Sequence, residues 1–124
     1  MDASPEITQI INLYFDTLYY CDLDKFDRVF HKKAIYATAD EAPLLFHNMT
    51  EYRKIIAERV SPASTNELRK DFIDNIKLAG KNTAIVSVRC TIAQSNFIDF
   101  LTLVREDGQW RVIAKVFHII NDRD

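Results

Sequence analysis

The chain has 124 residues, with 16 basic and 18 acidic side chains and a net charge of −2. That length fits one domain, residues 1–124, able to bury roughly two-thirds of its unfolded surface. The scattered basic residues exclude a nucleic-acid footprint or a polybasic membrane patch, and no apolar run approaches the ~20 residues needed to cross a bilayer.

The first residues lack the basic and apolar regions of a secretory leader. Cys21 and Cys90 have no metal-ligand spacing. Together these features lead to an expectation of a cytoplasmic protein with reduced, buried thiols.

Ser4-Pro5-Glu6 reads as a helix start: a capping hydroxyl, a proline at the first helical position, then an acid. Ile7, Ile10, Ile11, Tyr14, Phe15 and Leu18 follow at helical spacing and predict one apolar stripe. Asp22 caps a second, short helix with Leu23, Phe26 and Phe30 inward. His31-Lys32-Lys33 places positive charge at its C-terminal end.

Residues 35–38 and 44–47 predict two short strands around the turn 39–43. A third helix, capped by Asn48 or Thr50, turns Tyr52, Ile55, Ile56 and Val60 inward. The polar stretch 61–66, broken by Pro62, reads as a loop able to form a pocket rim. Residues 68–78 predict a long strand ending at Gly80. Its register stays open: a two- or four-residue turn faces Ile73 and Asn75 inward, a three-residue turn Phe72, Asp74 and Ile76.

Asp107-Gly108 between two β-rich runs is a hairpin signal, because both positions of such a turn need positive φ. Regular pairing from that turn sets Leu103 against Val112, Leu101 against Ala114, Asp99 against Val116 and Phe97 against His118. A turn at Gln94-Ser95 sets Cys90 against Asp99. Strict alternation then gathers Phe97, Asp99, Leu101 and Leu103 with Trp110, Val112, Ala114, Val116 and His118 on one inner face. Asp99 and His118 would be diagonal neighbours, and a carboxylate beside an imidazole is suited to acid–base work near neutral pH. A charged Asp in a wholly apolar core is costly, so a polar cavity is expected around it. The order of elements predicts an α+β fold, with helices on one side of a curved sheet and an open-ended cavity between them.

Several segments resemble the nuclear transport factor 2-like (NTF2-like) superfamily, which includes ketosteroid isomerase, scytalone dehydratase and the SnoaL-like polyketide cyclases. They are Tyr14-Phe15, Phe30-His31 followed by Ala34, the capped third helix, and Gly108-Gln109-Trp110-Arg111-Val112-Ile113. Asp99-Phe100-Leu101 and Lys115-Val116-Phe117-His118 resemble the branch labelled putative lumazine-binding. Where the superfamily often has Pro-Asp after the His, this chain has Lys32-Lys33.

The resemblance implies a cone-shaped barrel of three N-terminal helices on a mainly antiparallel sheet, holding a pocket for a cyclic or aromatic polar ligand. Asp99 and His118 would be the catalytic candidates, and Tyr14, Tyr19, His31, Cys90, Phe97 and Trp110 the ligand contacts. Neither cofactor nor metal is expected. The rival readings are an isomerase, dehydratase or cyclase using an Asp–His relay, and a protein-interaction module. The outer face, with Ile98, Phe100, Ile113 and Phe117, is the expected homodimer surface.

Overall fold

A computed structural model describes residues 4–121. Helix α1 spans Ser4–Tyr20, α2 Leu23–Val29 and α3 Met49–Glu58; the strands are β1 (Phe30–Thr38), β2 (Leu45–Asn48), β3 (Asp71–Ala79), β4 (Thr83–Ile92), β5 (Ser95–Glu106) and β6 (Gln109–Ile119). The sheet order is β2-β1-β6-β5-β4-β3. Only the β1–β6 pair is parallel, so the sheet is mixed and mostly antiparallel. Strands β2 and β3 are its edges, and the sheet is open rather than closed on itself.

The local signals act as expected at the helices. Ile7, Ile11, Tyr14, Phe15 and Leu18 are buried along α1. Asp22 caps α2 by accepting the Lys25 amide. Asn48 caps α3 in a reciprocal box with Glu51. Because α3 stops at Glu58, Val60 lies beyond it and is exposed rather than inward. His31-Lys32-Lys33 opens β1 and does not close α2.

The turn at Asp107-Gly108 has the two positive φ angles it needs, 53° and 76°. Leu103 pairs with Val112, as alternation requires, but Thr102 then pairs with Ala114. Ile113 is thus an extra residue, a β-bulge, and every later residue of β6 changes face. Asp99 stands opposite Phe117, and His118 opposite Ile98. The inner set of β6 is therefore Trp110, Val112, Lys115 and Phe117, all buried, while Val116 is 45% exposed.

The expected sharing of one face by Asp99 and His118 is overturned. The shift buries the larger Phe117 in place of Val116, and Phe117 packs on Tyr36 and Phe97 at ring separations of 5.0 and 5.9 Å.

The β4–β5 turn is Ala93-Gln94, one residue earlier than expected, so Cys90 pairs with Phe97 and Val88 with Asp99. That error is an even number of residues and leaves the faces unchanged. On β3, Ile73 pairs with Val88 and Asn75 with Ser87, so a bulge at Asp74 switches parity midway. Ile73, Ile76 and Leu78 all pack against the core, and the two alternatives each describe part of the strand.

Candidate functional site

Five elements converge on Lys115, which is 5% exposed although it carries a cation. Its Nζ donates to the Tyr52 hydroxyl at 3.0 Å and lies 3.8 Å from Asp99 Oδ2. It also sits over the rings of Tyr14, Tyr52, Tyr36 and Phe117 at 4.9, 5.3, 5.5 and 6.0 Å. Tyr14 comes from α1, Tyr52 from α3, Tyr36 from β1, Asp99 from β5 and Phe117 from β6. The Tyr36 and Tyr52 rings stack at 3.8 Å, forming one wall. Taking an ammonium out of water costs several kcal/mol. A desolvated cation–π contact returns about 2 kcal/mol and the carboxylate adds Coulomb attraction.

Asp99 is 1% exposed and receives hydrogen bonds on Oδ2 from the Tyr14 hydroxyl and the Cys90 thiol. Its Oδ1 is buried and has no hydrogen-bond partner among the described residues. Burial, reinforced by Asp99, raises the Tyr14 phenol well above its ordinary pKa. Burial followed by the Asp99 charge pushes the Cys90 thiol up too, so Cys90 is a neutral donor and no nucleophile. For Lys115, burial works against the charge. Tyr52, Asp99 and Tyr36 outweigh it and hold the ammonium above its ordinary pKa.

The cluster forms the base of a cavity of about 250 Å³. Its walls include Tyr36, Tyr52, Cys90, Phe97 and Phe117, and its mouth lies between Arg59-Val60 and the turn residues Ala93 and Ser95. Ala93 and Gln94 have φ of 51° and 66°, a left-handed conformation costing about 1–2 kcal/mol per residue without glycine. The Glu67 carboxylate accepts both of their amides, at 3.0 and 2.8 Å, and so ties the turn to the segment after α3. A 3-10 turn at Pro62–Thr65 shapes that segment. Residues 61–66, expected as a pocket rim, do not line this cavity but border a separate surface hollow with Glu67 and Gln94.

Of the expected site residues, Asp99, Cys90 and Phe97 line this cavity, and Tyr14 is outside its lining but donates to Asp99. His118 is elsewhere: its Nδ1 bonds Asp40 Oδ2 at 2.6 Å, and the same oxygen accepts the Ile119 amide. An Asp99–His118 relay therefore has no geometry here. Tyr19 donates to the Glu67 carbonyl at 2.7 Å, away from the cavity lining. His31 bonds Glu106, and Trp110 is buried beside a separate surface hollow with Arg28 and Gln109.

Lys115, Tyr36 and Arg59 are the residues that sequence reasoning missed. A lone lysine inside the run Val112-Ile113-Ala114-Lys115-Val116-Phe117 was the available signal, since regular alternation there puts two large apolar groups in water. Among the described residues no group of His, Cys, Asp and Glu could hold a metal ion. No described helix is long and apolar enough to cross a membrane.

The family model described as putative lumazine-binding matches residues 2–118. The chain belongs to that family. Solved structures with the same NTF2-like fold include a protein of unknown function from Silicibacter pomeroyi, 23% identical. It has a TM-score of 0.85 over 97% of this chain and 100% of that one. An NTF2-like protein of unknown function from Shewanella baltica is 20% identical, with a TM-score of 0.83 over 96% and 94% of the two chains. A ketosteroid isomerase-like protein from Erwinia carotovora atroseptica is 10% identical, with a TM-score of 0.74 over 97% and 98%. At these identities the likeness concerns the fold. No curated protein matches the chain.

In this family member Tyr14, Cys90 and Lys115 all keep their protons to higher pH when folded than when unfolded. The native state therefore binds more protons than the unfolded chain in the alkaline range, and stability must fall as pH rises there. The decline begins near pH 8.5, where an unfolded cysteine starts to ionise, and steepens near pH 10 with tyrosine and lysine. Urea midpoints measured from pH 7 to 10.5 should drop progressively above about pH 8.5. Midpoints that stay constant or rise would contradict the buried cluster.

Proposed function

We propose that the protein binds a small cyclic polar molecule in the cavity above Lys115 and Asp99. The observation carrying this reading is a buried carboxylate whose Oδ1 has no partner among the described residues, on the wall of a cavity that also holds a buried ammonium. Buried ion pairs contribute little to stability compared with apolar packing, so one placed beside a cavity is better suited to a ligand than to the core. Asp99 offers an acceptor; Lys115, Tyr52 and Tyr36 offer donors beside it; and the stacked rings suit a flat partner. The family description names lumazine, a molecule of this kind, and supports the reading at the level of a small-molecule ligand. Two free thiols, Cys21 and Cys90, fit a reducing compartment such as the cytoplasm.

The test is a thermal-shift and NMR screen of cyclic polar compounds that includes lumazine. At 100 times Kd a ligand adds about 2.7 kcal/mol of stability, which raises Tm by several degrees. At least one compound should do so and move the backbone signals of Cys90, Asp99 and Phe117. Asp99→Asn, which also removes the counter-charge of Lys115 and should lower Tm, should weaken that compound by about 10–100-fold in the protein that remains folded. A screen in which no compound moves those signals, or unchanged affinity in Asp99→Asn, would overturn the proposal.

An isomerase-, dehydratase- or cyclase-type enzyme is the second reading, favoured by a proton acceptor, Asp99, lying next to an oxyanion donor, Lys115. Chemical turnover of a bound compound, lost in Asp99→Asn, would separate this reading from simple binding.

A homodimer through the outer sheet face is the third element of the proposal. Ile85, Phe100 and Val116 are exposed there at 48%, 58% and 45%, and Ile98 lies among them. The inward turn of Phe117 removes it from this surface, and Val116 takes its place. Phe100→Lys should convert a sedimenting dimer into a monomer. A wild-type chain that sediments as a monomer at micromolar concentration would count against the pairing.

A further inference from the structure

The ionisable groups lining the cavity are not balanced. Arg59 and Lys115 supply two cations against one carboxylate, Asp99, while the Cys90 thiol is kept neutral by burial. Asp99 is already engaged by Lys115, Tyr14 and Cys90. Arg53, Arg69 and Arg89 each pair with an aspartate. Arg59, half-buried at the cavity mouth, pairs with no acidic side chain among the described residues. Its guanidinium lies close enough to act on the Tyr36 hydroxyl, on the same ring that Lys115 faces from below. A donor fork beside an aromatic wall matches a carboxylate attached to a ring, which it can hold with two parallel hydrogen bonds. Deeper in, the unpartnered Asp99 Oδ1 calls for an N–H or O–H donor on the same molecule.

Resting on the reading of the cavity as a ligand site, we infer that its ligand is an anion. It is a flat ring with a carboxylate at the Arg59 mouth and a hydrogen-bond donor at the Asp99 end. Charge then decides the orientation. The reverse pose would bring the carboxylate against Asp99 and leave Arg59 facing no anion.

Two probes of nearly equal shape test this, 4-hydroxybenzoate and its neutral primary amide, 4-hydroxybenzamide. Calorimetry at low salt should give the acid at least about 10-fold tighter binding. Arg59→Gln should remove most of that advantage and change the amide little, and added salt should narrow the gap. Equal affinities, or an advantage that survives Arg59→Gln, would overturn the inference. If the amide moves the Cys90 and Phe117 signals and the acid does not, the anion inference falls and the cavity reading stands. If neither probe binds, the anion inference again falls, and the separate screen of polar ring compounds decides the cavity reading.

Discussion

An ammonium enclosed by tyrosines and one carboxylate is the constraint around which the interior is arranged. Lys115 cannot be 5% exposed unless Tyr14, Tyr36, Tyr52 and Asp99 all stand where they do, because an uncompensated buried charge would destabilise the fold by several kcal/mol. This ties α1, α3, β1 and β5 to a single atom on β6. The same requirement produces the cavity. The aromatic rings that face the ammonium cannot also fill the space above it, and Asp99 is left with an oxygen that no donor among the described residues reaches.

Position along β6 depends in turn on one inserted residue. Ile113 breaks the alternation between a well-formed Asp-Gly turn and the far end of the hairpin. Reading outward from the turn gave correct partners as far as Leu103 and Val112, and wrong ones beyond. Bulges have no reliable local signature, since they are chosen by what the longer side chains gain inside. Here the gain is Phe117 against Tyr36 and Phe97, together with the aromatic enclosure of Lys115. The misplacement at the β4–β5 turn did no comparable harm, because an even slip returns each side chain to its own face.

Much of the remaining architecture was legible. The apolar stripe of α1, the caps at Asp22 and Asn48, and the positive φ at Asp107 and Gly108 are local properties, decided within a few residues. Asp99 and Tyr14 are legible as members of the buried polar cluster because one is a charge in an apolar strand and the other a hydroxyl on an apolar stripe. His31, Tyr19 and Trp110 stand out by residue type, but the fold gives each a partner or a place outside the cavity lining. The helical spacing of α3 marks Tyr52 as an inward residue, and it is buried. Its link to Lys115 joins positions 63 residues apart and belongs to packing alone.

The central claim is that lysine, and not histidine, shares the inner wall with Asp99. Nuclear Overhauser contacts between side chains test it without any mutation. The account predicts cross-peaks from the Lys115 methylenes to the rings of Tyr14, Tyr36 and Tyr52, and none from the His118 ring to Tyr14 or Tyr52. Cross-peaks from His118 to those rings, with Lys115 showing only solvent-exposed behaviour, would contradict it.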